Sequence, residues 1–200
     1  NDVYFSVNTT IEDTGISKVI DEGNFTHLNL SDTAPYNNTV LYMPFDVNTS
    51  TVYDWTKNEN DGTKNGGVSA VNGKYGGAYD FDGSDDYIEV SSSSGDELNP
   101  TNEITVSVWV KYTNYGDWSK ILTRGHDTTY TLHASYNNDG EPAFRIWDGG
   151  TEYVVKSRTS ITDGNWHQVV SKYNGTDLAI YIDSDLKNTA SHTGDIDTSV

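Results

Sequence analysis

An antiparallel β-sandwich of the jelly-roll kind is the fold class this sequence predicts, with a polar N-terminal arm before it. Three observations carry that expectation. From residue 40 onward apolar residues recur with a two-residue period. Gly, Asn and Asp clusters break the runs at short intervals. No helix-period stretch lies between the runs to serve as a crossover, so neighbouring strands are joined by turns and run antiparallel.

Taken in order, Asn1 to Val7 (NDVYFSV) reads as an orphan strand, with Val3, Phe5 and Val7 alternating against Tyr4 and Ser6. Thr10 to Gly23 is the one helical candidate, because Ile16, Val19 and Ile20 share a face and Gly23 can end a short helix. Leu41, Met43 and Phe45 alternate in a strand that Pro44 confines to an edge or bend. The cleanest alternation runs over Glu103 to Tyr112, through Ile104, Val106, Val108 and Val110. Further strands are expected over Lys120–Thr123, Tyr130–Ala134, Ala143–Trp147, Tyr153–Lys156, Trp166–Tyr173 and Leu178–Asp183. Tyr136–Gly140 and Asp148–Gly150 have the composition of hairpin turns.

Composition narrows the function. Twelve Lys and Arg face thirty Asp and Glu, for a formal charge of −18. Such a surface repels phosphate backbones and anionic lipid, which excludes nucleic-acid and polybasic membrane roles. No apolar run approaches the ~20 residues of a spanning helix. The absence of Cys removes disulfides, thiolate metal sites and thiol nucleophiles together. A first residue Asn1 rather than Met fits a processed or excised chain. Asn-X-Ser/Thr sequons stand at Asn8, Asn24, Asn29, Asn37, Asn48 and Asn174, and five of the seven Asn before residue 50 are in them. That crowding predicts an extracellular, glycosylated N-terminal segment.

Four motifs resemble one family. FDGSDDYIEV (Phe81–Val90), EITVSVWVKY (Glu103–Tyr112) and DGNWHQVVSKYNGTDLAIYID (Asp163–Asp183) are similar to the LamG-like jelly rolls of the concanavalin A-like lectin/glucanase superfamily. MPFD (Met43–Asp46) with DWTKNENDGT (Asp54–Thr63) resembles that family's opening strand and Asn/Gly-rich loop. The resemblance implies two stacked sheets over residues 40–200 and an extracellular, adhesive or carbohydrate-binding role. Residues 1–39 have no counterpart in the family pattern, and the family's closing strands are expected to be missing after the Asp183 strand. We therefore expect Asn1 to Val7 to serve as a donor strand, filling the open groove of a neighbouring copy head to tail and propagating as a filament.

Catalysis is not expected. Retaining glycosidases need two carboxylates about 5 Å apart, and the nearest spacing here is Asp80, Asp82 and Asp85, with Gly83-Ser84 forming a turn that takes Asp85 off the shared face. His126, His133 and His167 are scattered, and no nucleophile elbow or zinc motif occurs. A structural Ca²⁺ is the one cofactor expected, held by oxygen-rich loops through Asp54, Asn58, Asn60 and Asp82. For surface glycans, Tyr115 and Trp118 flank a Gly-Asp turn and Trp147 precedes another. Aromatic faces beside polar turn residues suit pyranose rings. Trp109 and Trp166 are expected in sheet packing instead.

Overall fold

The chain was analysed as a computed structural model, which describes residues 3–6, 38–91, 96–113, 116, 118–125 and 127–198. The helix expected over Thr10–Gly23 lies outside the described residues, as do Asn8, Asn24, Asn29, Asn37, Tyr115 and His126. Among the described residues fourteen strands follow one another: β1 (Val3–Ser6), β2 (Thr51–Val52), β3 (Gly62–Asn65), β4 (Ser69–Asn72), β5 (Gly77–Phe81), β6 (Tyr87–Val90), β7 (Ile104–Tyr112), β8 (Lys120–Arg124), β9 (Tyr130–His133), β10 (Ala143–Asp148), β11 (Thr151–Lys156), β12 (His167–Tyr173), β13 (Asp177–Ile182) and β14 (Asp185–Ser191). Among the described residues the fold is all-β, as the alternation predicts.

A seven-stranded sheet runs in the order β14-β13-β12-β7-β1-β5-β4, and every pairing in it is antiparallel. Its inner face packs against a four-stranded sheet, β11-β10-β9-β8. Val108, Val110, Tyr112, Val169, Leu178 and Ile180 from the first meet Leu132, Phe144, Ile146 and Val155 from the second. Each fully buried side chain of this size contributes about 1.5–3 kcal/mol, so these strands hold the core. A three-stranded sheet, β2-β3-β6, encloses a smaller cluster of Met43, Val52, Val68 and Tyr79.

Three expectations are corrected. The segment Leu41–Phe45 is not a strand: it runs as irregular chain with Met43 and Pro44 buried. Pro44 has no N–H to give a ladder, Phe45 stands at φ 62°, and Tyr42 bonds to the loop instead, through its N–H to Asp54 Oδ1 at 2.9 Å. Gly77 admits this segment, since a Cβ there would lie 2.4 Å from the Phe45 carbonyl oxygen. Second, β14 is a strand the alternation does not reveal, and it follows the Asp183 strand at the sheet edge. Third, Val3–Ser6 does not belong to a separate arm: it sits inside its own chain's sheet, between β5 and β7.

Candidate functional site

On the outward face of the four-stranded sheet, alternation puts His133, Arg145, Trp147 and Glu152 on the side away from Leu132, Phe144 and Ile146. Register then brings them together, with Arg145 opposite Thr131 and Trp147 opposite Glu152. Two loops cover this face. The loop before β8 brings Trp118, which stands at φ 62°, and the β9–β10 turn brings Tyr136. Ser135 Oγ closes that turn by accepting from the N–H groups of Asp139 and Gly140 at 3.1 and 3.2 Å.

The result is an ion–aromatic cluster built around Arg145, which is only 5% exposed. Its guanidinium carbon lies 4.4 Å from the Trp147 ring centre, 5.2 Å from Tyr136 and 5.4 Å from Trp118. Nη1 meets Asp127 Oδ1 at 3.3 Å, and Nε pairs with Glu152 Oε1. Glu152 also accepts from the Tyr136 hydroxyl at 2.9 Å. A cation lying on aromatic faces and ion-paired to two carboxylates is fixed from several directions. His133 is fully buried beneath, its Nε2 3.1 Å from Arg145 Nη1. Burial, then the charges of Arg145 and Lys120, push its pKa down to about 4, so at neutral pH the ring is uncharged and Nε2 accepts. Burial and the neighbouring Glu152 raise the Tyr136 hydroxyl's pKa, which keeps it a donor. Beside the cluster Lys156 pairs with Asp139 and, at 3.6 Å, with Glu141.

The two described members of the expected aromatic platform therefore meet, but in different capacities. Trp118 is 45% exposed and presents a ring to solvent, packed edge-on against Tyr136 at 4.6 Å. Trp147, at 6% exposure, is a buried floor under the guanidinium. Its strand end is clamped from the C-terminal side: Asp197 N–H donates to the Trp147 carbonyl at 2.8 Å, and the Asp197 carboxylate accepts from Gly149 and Gly150. Trp109 and Trp166 are half-buried, and Trp109 lies edge-on to Tyr75 on the outer face of the large sheet. Sequence reasoning does not single out Arg145, Tyr136, Asp127 or Glu152 for the site, and it reads His133 as one of three scattered histidines. The available signal was an Arg in the middle of the apolar run Ala143–Trp147, at a position whose neighbours Phe144 and Ile146 must face the core.

The oxygen-rich loops separate into two arrangements. Asp54, 1% exposed, accepts four hydrogen bonds, from the N–H groups of Tyr42, Thr56 and Asn60 and from Thr56 Oγ1, at 2.8–3.0 Å. Asn58 and Asn60 donate their side-chain amides to the Val40 carbonyl, and Asn60 also to Glu97. These groups knit the loop to residues 40–42, and Asp54 has both oxygens engaged by the chain itself. Asp82 instead joins Asp85 and Asp86, with carboxylate oxygens within 4.8 Å of one another. Gly83, at φ 74°, makes the turn that gathers them. Within that turn Asp82 accepts from Ser84 N–H, and Asp86 accepts from Asp82 N–H and Gly67 N–H.

Asn48 and Asn174 are exposed in loops. Asn174 Oδ1 accepts from the Thr176 and Asp177 N–H groups and the Thr176 hydroxyl, all within 3.1 Å, so the turn it caps uses the oxygen and not the nitrogen that carries a glycan. His167 lies between two carboxylates, Nδ1 2.6 Å from Asp183 and Nε2 3.1 Å from Asp163. Burial disfavours its charge, but the two carboxylates outweigh that and raise its pKa. Among the described residues no helix is long and apolar enough to cross a membrane.

Among solved structures, the binding domain of Paraclostridial Mosquitocidal Protein 1 superposes with a TM-score of 0.62 at 15% identity, over 78% of this chain and 42% of that one. A single-site mutant of HCR D/C VPI 5995 gives 0.53 at 12% identity, over 78% and 39%. Domain 4 of AbnA, a GH43 extracellular arabinanase from Geobacillus stearothermophilus solved with arabinotriose, gives 0.46 at 17% identity, over 68% and 63%, an overlap that bears on neither fold nor ligand. The chain thus spans about two fifths of the first two. None of the curated proteins matches the sequence. The laminin G-like profile of the concanavalin A-like lectin/glucanases superfamily matches residues 82–200, more than half of the chain, and includes every strand that carries the Arg145 cluster. The chain belongs to that laminin G-like family of the concanavalin A-like lectin/glucanases superfamily.

Proposed function

We propose that this domain is a non-catalytic, lectin-like module that binds a neutral glycan on the Trp118 face of the four-stranded sheet. The single observation that carries the reading is an exposed indole held in place by a buried Arg145 cluster. A pyranose ring stacks on such a face, while the Asp127 and Glu152 carboxylates beside it accept from sugar hydroxyls. Rigid support of this kind lowers the ordering cost of binding.

Charge selects among glycans. Around the site stand four carboxylates, Asp127, Glu152, Asp139 and Glu141, against three cations, Arg145, Lys156 and Lys120. Arg145 is buried and ion-paired to Asp127 and Glu152, carboxylates outnumber cations around the site, and the −18 chain repels polyanions. Neutral sugars are the favoured class, with uronates, sialosides and sulfated glycans disfavoured. A glycan array tests this with wild type and Trp118→Ala. Binding to neutral glycans that Trp118→Ala loses supports the reading; silence across the array, or selective binding of anionic glycans, overturns it.

We read the gathered Asp82, Asp85 and Asp86 carboxylates as a turn cluster and not as a hydrolytic pair, since Asp82 and Asp86 are engaged by backbone N–H groups at the Gly83 turn. We place the module outside the cell, where adhesion to a neighbouring glycan surface would be its use, with glycans on the sequon asparagines. An intact mass equal to the bare 22.1 kDa chain when made by a glycosylating host would contradict that placement. For Ca²⁺ the proposal narrows to Asp82 with its neighbours Asp85 and Asp86, and a melting curve unmoved by chelator and by added Ca²⁺ would remove it.

A further inference from the structure

We propose that the slot between β5 and β7 is a strand-acceptor site that takes β1 from a second copy of this chain when copies are crowded together. This does not depend on the glycan reading. β1 lies inside the seven-stranded sheet, not at its edge. On one side Val3, Tyr4 and Phe5 face Phe81, Asp80 and Tyr79; on the other Val3, Tyr4, Phe5 and Ser6 face Tyr112, Lys111, Val110 and Trp109. Without β1 both strands would show an unpaired ladder edge in the middle of the sheet, the feature to which extended segments add.

Everything that holds β1 is thus presented by strands far along the chain, and β1 of another copy would meet the same partners in the same register. Only the tether distinguishes the two seats. Residues 7–37 separate β1 from the domain. Thirty-one residues can reach at most roughly 100 Å, more than twice the ~40–45 Å diameter of a folded 200-residue domain. A second copy is therefore within reach. Because β1 and its slot belong to one chain, the chain's own slot is favoured in dilute solution and exchange between copies gains as chains are concentrated. Reciprocal exchange closes a dimer, and one-way exchange runs head to tail.

The absence of Cys gives a clean test. Tyr4 and Lys111 stand directly opposite each other, and Cα spacings of about 4.5–5.5 Å in such pairs suit a disulfide. Full-length Tyr4→Cys and Lys111→Cys chains are mixed, refolded together from urea and oxidised with glutathione disulfide. Non-reducing gels read the linked dimer. The Tyr4→Cys/Lys111→Cys double variant reports the seat within one chain, and Tyr4→Cys mixed with Thr105→Cys, about 20 Å along β7, is the off-register control. We expect the linked dimer to exceed the off-register control and to rise at least several-fold as the chains go from ~10 μM to ~1 mM. Linkage confined to single chains of the double variant, with mixtures never above the control, overturns exchange. No linkage even in the double variant overturns the slot as the seat of β1.

Discussion

Replacing Arg145 by alanine removes a guanidinium held between three aromatic rings and two carboxylates, and the cost can be worked from its surroundings. The Trp147 contact is desolvated and worth about 1–2 kcal/mol, whereas the more open Trp118 and Tyr136 faces contribute less. His133 Nε2 loses its donor while fully buried, at about 1 kcal/mol or more. Asp127 and Glu152 are 44% and 33% exposed, so they regain water and cost far less than the ~3–5 kcal/mol of a fully buried orphaned charge. The sum is about 3 kcal/mol. At roughly 2–4 °C per kcal/mol for a chain of this size, the midpoint of thermal unfolding falls by about 10 °C. Urea melts followed by indole fluorescence and by far-ultraviolet circular dichroism measure it. Arg145→Lys recovers less than half of the loss, because an ammonium cannot lie flat on Trp147 while serving Asp127 and Glu152. A loss below ~0.5 kcal/mol for Arg145→Ala would show that the cluster does not hold this face together.

Two histidines give opposite pH signatures. His167, whose pKa is raised, contributes stability that is complete below its unfolded value near 6.5 and is lost as pH rises through its folded value; His167→Gln should flatten urea midpoints across that alkaline limb. His133, lowered to about 4, binds its proton more readily unfolded, so stability falls as pH drops from about 6.5 to 4, and His133→Asn should reduce that slope. Asp54→Ala leaves three backbone N–H groups and a hydroxyl without their acceptor, and a loss of about 3 kcal/mol in urea melts is expected; a loss under ~0.5 kcal/mol would mean the loop does not rest on that carboxylate.

What could be read from sequence followed from burial. Ile104, Val106, Val108 and Val110 alternate because β7 is a central strand with one face in the core, and its bounds came through almost unchanged. The polar strand β14 could not be read that way. Asp185–Ser191 is an edge strand whose partner β13 supplies most of the apolar side chains, so no alternation had to be kept. At Leu41–Phe45 the alternation was real, and Met43 does enter the small core, but Pro44 and the left-handed Phe45 prevent a ladder. The candidate site was half legible. Trp118 and Trp147 stood out as aromatics beside turns, whereas Arg145 and His133 are twelve positions apart and meet only through the β9–β10 register. Exposure separates the two indoles, and nothing in their sequence settings distinguishes the platform from the floor.

Indole N–H resonances test the central claim most directly. The chain has five Trp, and the Trp118 signal is assigned by its loss in Trp118→Ala. Titrating a neutral oligosaccharide that the array selects should shift the Trp118 resonance in proportion to occupancy, with the buried Trp147 resonance moving little and uronate or sulfated oligosaccharides leaving both in place. Saturable binding that moves other indoles while Trp118 stays unmoved would contradict the account.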